Sequence, residues 1–450
     1  MKQVSRRHVI AGAAAVTAAF PVALLSRSVA SASRSPEEAR AVGTISETLT
    51  DGTTISEVPL TTVQPSVRLT DIRSLGQSTR VFDVTQDSPF SMLGITWTGD
   101  GTLDAHVRAR GLDGEWGPWF DFEDGHGIES AGEPFGESSR NATEVLYVGE
   151  CTAIQLQVHG KRVTDISDGG PSDLTAVLVR PSTMPVEPTA SRSDGVKDIA
   201  GTVAKPRIIS RKQWGADESI RRRTLTVNDS LGGVVIHHTA GSNDYTEAQA
   251  PAIVRGIYAY HARTLGWGDV GYHALVDKFG NIYEGRFGGM ERPIQGAHTG
   301  GFNVNTAGFA MLGNFQTITP TSAQREAISQ LTGWRLSVAN KLNPAGSQPK
   351  LTPNGKTVMY SEGTSYTFLP RGAAITLPIV FGHRDVGRTA CPGDRAYPYL
   401  VQIRNSAQAY MDTATPQPNP EPQPQPQPNP EPQPQPQPPS RRQSRTGSLF

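Results

Sequence analysis

The sequence predicts a multidomain protein in which an all-β, sandwich-like domain precedes a mixed α/β domain. Three observations carry that reading. Apolar and polar residues alternate with period two between residues 44 and 185, the pattern changes after Pro206 to short buried strands mixed with helical periodicity, and low-complexity segments flank these regions. A chain of 450 residues also exceeds one ordinary domain. Charge excludes little but points nowhere in particular. With 42 basic and 42 acidic residues the totals give no reason to expect nucleic acid or an anionic membrane as partner. Only Cys151 and Cys391 are available, too few for a disulfide framework.

Residues 1–32 read as a targeting segment. Ser5-Arg6-Arg7 precedes the alanine-rich apolar run from Val9 to Leu25, and Ala30-Ser31-Ala32 supplies small residues for cleavage. Paired arginines in that place indicate twin-arginine export of an already folded protein, hence a secreted or cell-wall location. The run is shorter than the roughly 20 residues of a span, so no membrane anchor is expected after cleavage.

In residues 44–185, Ala105, Val107 and Ala109 alternate with His106, Arg108 and Arg110. Ile154, Leu156 and Val158 alternate with Gln155, Gln157 and His159. Both are patterns of half-buried strands. Asp113-Gly114 marks a tight turn ahead of Trp116, Trp119 and Phe120, aromatics that read as core or as a saccharide-stacking face. Cys151 falls among Ala153 and Ile154 and reads as a buried thiol. A linker follows at 186–205.

In residues 206–412 a buried strand runs to His237. A helix begins near Pro251 with Ile253, Ile257 and Tyr260 on one face, and strands are expected at Val270–Val276 and Ala307–Phe315. Lys278-Phe279-Gly280-Asn281 makes a turn. Thr321 with Gln324 suggests a capping box opening a helix that carries Ala327, Leu331, Trp334 and Val338 on one side. From Asn340 to about Ala374 the Gly, Pro, Ser and Thr content indicates a surface insertion. The tail, 413–450, repeats PQPNPEPQPQ at Pro416 and Pro426 and should extend as polyproline II.

The chemistry concentrates in the second domain. Six of the ten histidines lie there, more than core packing requires. In GHRDVGRTACPGD, His383 stands eight positions before Cys391 on a loop, and imidazole and thiolate are both zinc ligands. His237 or His238, in LGGVVIHHTAG, offers a third. Two histidines and one cysteine leave a fourth position open, the layout of a catalytic zinc. An HExxH helix is absent, which disfavours a metalloprotease with a glutamate base.

VVIHHTAG, GWGDVGYHALVDKFGNIYEGR, QGAHTGGFNVNTAGFAMLGNF and GHRDVGRTACPGD occur in the order found in the peptidoglycan recognition proteins and the related zinc N-acetylmuramoyl-L-alanine amidases, which this domain resembles. The resemblance covers about half the chain. It implies a zinc-dependent cut between N-acetylmuramic acid and L-alanine of peptidoglycan, or else recognition of muropeptide without cleavage. The zinc ligands would be His237, His383 and Cys391. Tyr272 would orient the attacking water, and Thr389 would stand where relatives carry lysine or threonine. Gly266 and Trp267 match a pair associated with meso-diaminopimelate stems, Arg286 would clamp the extra carboxylate, and His298 and Asn303 would line the peptide groove.

Overall fold

The computed structural model describes residues 44–413 apart from 64–66, 70–76, 100–102, 123–139, 162–171, 186–198, 200, 223 and 347–348. The targeting segment, almost all of the tail and most of the linker therefore lie outside the described residues.

The first domain contains β1 (Ile45–Thr48), β2 (Thr54–Pro59), β3 (Val67–Leu69), β4 (Gln77–Thr98), β5 (Asp104–Gly111), β6 (Phe120–Asp121), β7 (Asn141–Ala142), β8 (Leu146–Lys161) and β9 (Ser172–Arg180). All the described pairings are antiparallel, in the order β1-β2-β9-β4-β8-β5-β6, with β3 and β7 also on β4. Among the described residues the ladders of this domain join into one continuous set. The reason is β4. At 22 residues, with register shifts around Phe90, it keeps β8 on one side while its other edge passes from β3 to β9. The alternation in β5 and β8 is realised: Ala105, Val107, Ala109, Ile154, Leu156 and Val158 are all buried in one cluster.

The second domain contains β10 (Ile208–Ile209), α1 (Arg211–Trp214), β11 (Gly233–His238), α2 (Ala250–Ala259), β12 (Ala274–Val276), β13 (Ile282–Glu284), β14 (Thr306–Met311), α3 (Ser322–Leu342), β15 (Lys356–Tyr360), β16 (Ala374–Pro378), β17 (Val380–Gly382) and α4 (Leu400–Asp412). Six strands form a mixed sheet in the order β10-β13-β12-β14-β11-β17, parallel except where β12 meets β13. Its central strands β11 and β14 are buried throughout because both faces are covered, which is why they read as continuous apolar runs. On one face Val234, Ile236, Phe309 and Met311 pack with Ile328, Leu331 and Trp334 of α3 and with Leu400 and Ile403 of α4. On the other, Leu275 and Ala310 pack with α2.

Three expectations change in detail. The strand foreseen at Val270–Val276 starts only at Ala274, because Val270–His273 form an irregular loop that the site uses. Thr321 caps α3 by accepting from the Gln324 N–H at 3.1 Å, but the Gln324 side chain turns away to donate to the carbonyls of Val276 and Leu312, so the box is half made. The insertion before the last strand holds the β15–β16 hairpin, whose Met359 and Leu377 pack with Val235, Phe302 and Phe381.

The two domains share a core, since α2 serves both. Nine of its ten residues are buried, so the one-faced helix of the sequence is covered all round. Alternation explains how. In β9, Ala176 and Leu178 turn into the first domain's own core while Val177 and Val179 join Ile253, Val254 and Ile257. In β4, Leu93 and Ile95 point inward and Met92 outward to the same shared cluster. Gly94 lies between them at a close approach: a Cβ there would stand 2.3 Å from the Tyr260 hydroxyl oxygen. Polar contacts complete the joint. The Arg255 guanidinium, 3% exposed, donates to the carbonyls of Ser182, Met184 and Trp214, anchoring the chain as it leaves β9. Thr50 donates from its N–H and its hydroxyl to Asp217.

Candidate metal centre

Register builds the site. Ile236 of β11 pairs with Gly382 of β17, so the next residues, His237 and His383, emerge side by side at the carboxyl ends of adjacent parallel strands. Ligands in open α/β sheets gather at those ends. The two rings lie 4.7 Å apart between centroids. The chain then turns through His383–Asp385 and returns Cys391, held by the Arg384 N–H donating to the Cys391 carbonyl at 2.9 Å. One ligand atom each from His237, His383 and Cys391 falls within 4.8 Å of the others, and all three residues are fully buried.

The donor set fits zinc in chemistry as well as in spacing. Cys391 Sγ is 3.7 Å from His237 Nδ1 and receives the His238 backbone N–H at 3.4 Å, a contact that favours the thiolate. His237 Nε2 is already engaged by His298 Nδ1 at 3.1 Å and Thr299 Oγ1 at 3.3 Å. A metal on Nδ1 requires the proton on Nε2, and these partners are placed to accept it. His238 has a different job: its Nδ1 accepts from the Phe315 N–H.

Tyr272 is buried with its ring 5.3 Å from that of His237. Its loop is held on several sides: the Gly271 N–H donates to His261 Nδ1, the Ala297 N–H to the Gly271 carbonyl, and the Arg286 N–H to the Tyr272 carbonyl. Gly285 allows that last approach, since a Cβ there would meet the Tyr272 oxygen at 2.2 Å. Thr389, half-buried, accepts the Cys391 N–H at 3.0 Å and so shapes the cysteine turn.

The other candidates sit around the centre in supporting positions. Trp267 is buried, its ring 4.5 Å from His261, between Gly266 and Gly268, both at positive φ. Arg286 is buried and donates from Nη1 to the Val270 carbonyl at 3.1 Å. His298 bridges His237 and Thr299. Asn303 is a turn-former here: its Oδ1 accepts the N–H groups of both His298 and Thr299. The hairpin insertion buttresses this loop and the metal loop together, through the Glu362 N–H on the Gly301 carbonyl and the Thr367 hydroxyl on the Val386 carbonyl. His273, by contrast, is a core residue: Nδ1 accepts from the Gly308 N–H, Nε2 meets the Ile294 carbonyl, and burial pushes its pKa down to about 4.

Sequence reasoning missed two residues. His261 carries the Gly271 N–H on Nδ1, and its Nε2 faces Glu144 Oε2 of the first domain at 3.4 Å. Both are buried. No local pattern marks Glu144, which stands in NATEVL ahead of β8; only the joining of the domains gives it a partner.

A mixed sheet carries a buried His-His-Cys set that could hold a metal ion at the carboxyl ends of its strands. Residues 228–394 match the N-acetylmuramoyl-L-alanine amidase family, and residues 46–191 match a family described as Rv3811 N-terminal galactose-binding domain-like. Peptidoglycan-recognition protein SC2 of Drosophila melanogaster is 34% identical over 186 residues, 41% of this chain and 80% of that protein. Peptidoglycan recognition protein 1 of Bos taurus is 32% identical over 197 residues, 43% of this chain and 83% of that protein. Among solved structures, the complex of tracheal cytotoxin with the ectodomains of peptidoglycan recognition proteins LCa and LCx aligns at 28% identity and a TM-score of 0.32, covering 43% of this chain and 93% of that one. The chain belongs to the peptidoglycan recognition protein and N-acetylmuramoyl-L-alanine amidase family.

Proposed function

We propose that this protein is a secreted zinc amidase that hydrolyses the amide between the lactyl group of N-acetylmuramic acid and L-alanine in peptidoglycan. The observation that carries the reading is the complete donor set, His237, His383 and Cys391, with their ligand atoms within 4.8 Å. When bound, zinc supplies Lewis acidity toward a carbonyl and lowers the pKa of a water. The chain's own residues do the rest. His298 and Thr299 hold the proton of His237 Nε2 and fix that ring. The His238 N–H supports the sulfur as thiolate. Tyr272, beside His237, is the group for hydrogen bonding to the oxygen on which charge develops. The complete burial of the three ligands keeps bulk water from competing for the electrostatics of the centre.

The reading extends to meso-diaminopimelate stems on the strength of Gly266 and Trp267. Arg286 would take the extra carboxylate with the same guanidinium that holds Val270, so that substrate and the Tyr272 loop engage together. On this reading residues 1–32 would direct export by the twin-arginine route to the wall. Among the described residues, which exclude that segment, no helix is long and apolar enough to cross a membrane.

The test is release of L-alanine amino termini from diaminopimelate-type peptidoglycan by the zinc-loaded protein and by Cys391→Ala. Release that requires both zinc and Cys391 supports the amidase. Muropeptide binding without release by either protein would make the domain a recognition module.

A further inference from the structure

The first domain carries a second cluster of metal-ligating side chains, far in sequence from the amidase motifs. The register of four neighbouring strands assembles it: Thr79 of β4 pairs with His159 of β8, His159 with Asp104 of β5, and His106 of β5 with Asp121 of β6. Asp104 and His106 are two residues apart on one strand and share its face. The row Thr79, His159, Asp104 with His106, and Asp121 therefore crosses the sheet on its more open side. The buried face of the same strands is apolar.

The geometry within the row is ordered. The rings of His106 and His159 meet edge to face with centroids 5.1 Å apart. His106 Nδ1 contacts Asp121 Oδ1 at 2.6 Å, and its Nε2 is 3.6 Å from Asp104 Oδ1. His159 Nδ1 contacts the Thr79 hydroxyl at 2.9 Å. One ligand atom from each of Asp104, His106 and His159 lies within 4.8 Å of the others. We infer that Asp104, His106 and His159 form a second site for a divalent transition metal, with Asp121 and Thr79 orienting the two imidazoles.

Two imidazoles and one carboxylate suit zinc, nickel or cobalt(II) better than calcium or magnesium. Bonds of about 2.0–2.2 Å put ligand atoms on one ion no more than about 4 Å apart, so closure takes shifts of at most about 1 Å. Exposed Asp104 and half-buried His106 and His159 have room for them. A carboxylate on the far nitrogen of a ligating histidine fixes its tautomer and raises its basicity, and Asp121 stands in that relation to His106. Water fills the remaining positions of an ion held by three groups on an open sheet face. Bound there, the ion ties β5 to β8 by side chains as well as by the ladder.

Cobalt(II) titration of the metal-free full chain separates this site from the amidase centre. Cobalt bound by Cys391 gives a thiolate charge-transfer band in the near ultraviolet, and cobalt on nitrogen and oxygen ligands alone gives only weak visible bands. The parent should bind two equivalents, one with and one without charge transfer. His106→Gln/His159→Gln, with unchanged circular dichroism, should lose the second and keep the first; Cys391→Ala should do the reverse. Asp121→Asn should weaken the second site by about tenfold or more while leaving the ladder intact. Absence from the parent of the equivalent without charge transfer, or such an equivalent indifferent to His106, His159 and Asp121, would overturn the assignment. Failure of the amidase reading would show instead as loss of the charge-transfer band alone.

Discussion

Glu144 offers the sharpest test of the claim that the first domain is part of the catalytic scaffold. His261 accepts the Gly271 N–H on Nδ1, so its neutral form carries its proton on Nε2, directed at the Glu144 carboxylate 3.4 Å away. Glu144→Leu removes that acceptor from a place where His261 is fully buried. Leaving a buried donor without its acceptor costs about 1–3 kcal/mol, and the long contact argues for the lower part of that range. The disturbance then passes to Gly271 and to Tyr272, whose ring lies 5.7 Å from that of His261. A displacement of about 1 Å at a catalytic group can lower the rate about a hundredfold. Urea unfolding and the L-alanine release assay on parent, Glu144→Gln and Glu144→Leu read both effects. The amide oxygen of glutamine can still accept from His261, so Gln should retain most stability and activity while Leu loses about 1–2 kcal/mol and at least tenfold in kcat with a smaller change in KM. Leu matching the parent in both assays would refute the reasoning.

Other perturbations follow from the same structure. Gly94→Ala sets a methyl against Tyr260, whose hydroxyl donates to the Thr143 carbonyl, and should destabilise the joint by about 1–3 kcal/mol; unchanged urea unfolding would contradict the packing described. Asn303→Ala strips the shared acceptor from two buried N–H groups and should cost about 2 kcal/mol or more, with weaker zinc affinity because His298 no longer braces His237. Burial lowers the His273 pKa to about 4, so the unfolded chain binds the extra proton between that value and the ordinary His pKa near 6.5. This contribution is complete above pH about 6.5 and lost as pH falls toward 4, amounting to about 2 kcal/mol between pH 7 and 5; His273→Gln should flatten that part of the profile. Cys151, buried and pushed up to about 12, should resist thiol reagents in the native protein at pH 8.

Much of the centre was legible because its residues are local to strands and turns. His237 ends an apolar run, and a run buried on both faces is what a central parallel strand looks like. His383 and Cys391 share one loop. Spacing alone left His237 and His238 as alternatives; in the structure the choice is made by strand alternation, which sends His237 toward His383 and Cys391 and His238 toward Phe315. Less legible were contacts made across the chain. Glu144 and His261 are 117 residues apart, and no periodicity relates them. The face of α2 read from the sequence is buried, with Ile253 and Ile257 in one cluster, but that the first domain's sheet packs on the same helix was not legible for the same reason. Trp116 and Trp119, read as core or stacking residues, are partly exposed, and the Arg108 guanidinium carbon lies 4.9 Å from the centroid of each ring.

The most direct test of the amidase account is to return zinc in steps to metal-free protein and follow amide cleavage in diaminopimelate-type peptidoglycan, with Cys391→Ala alongside. The account predicts cleavage that is absent without metal, rises to its full value as the Cys391 centre fills, and never appears in Cys391→Ala. Cleavage by the metal-free protein, or cleavage by the variant at the parent's rate, would contradict it.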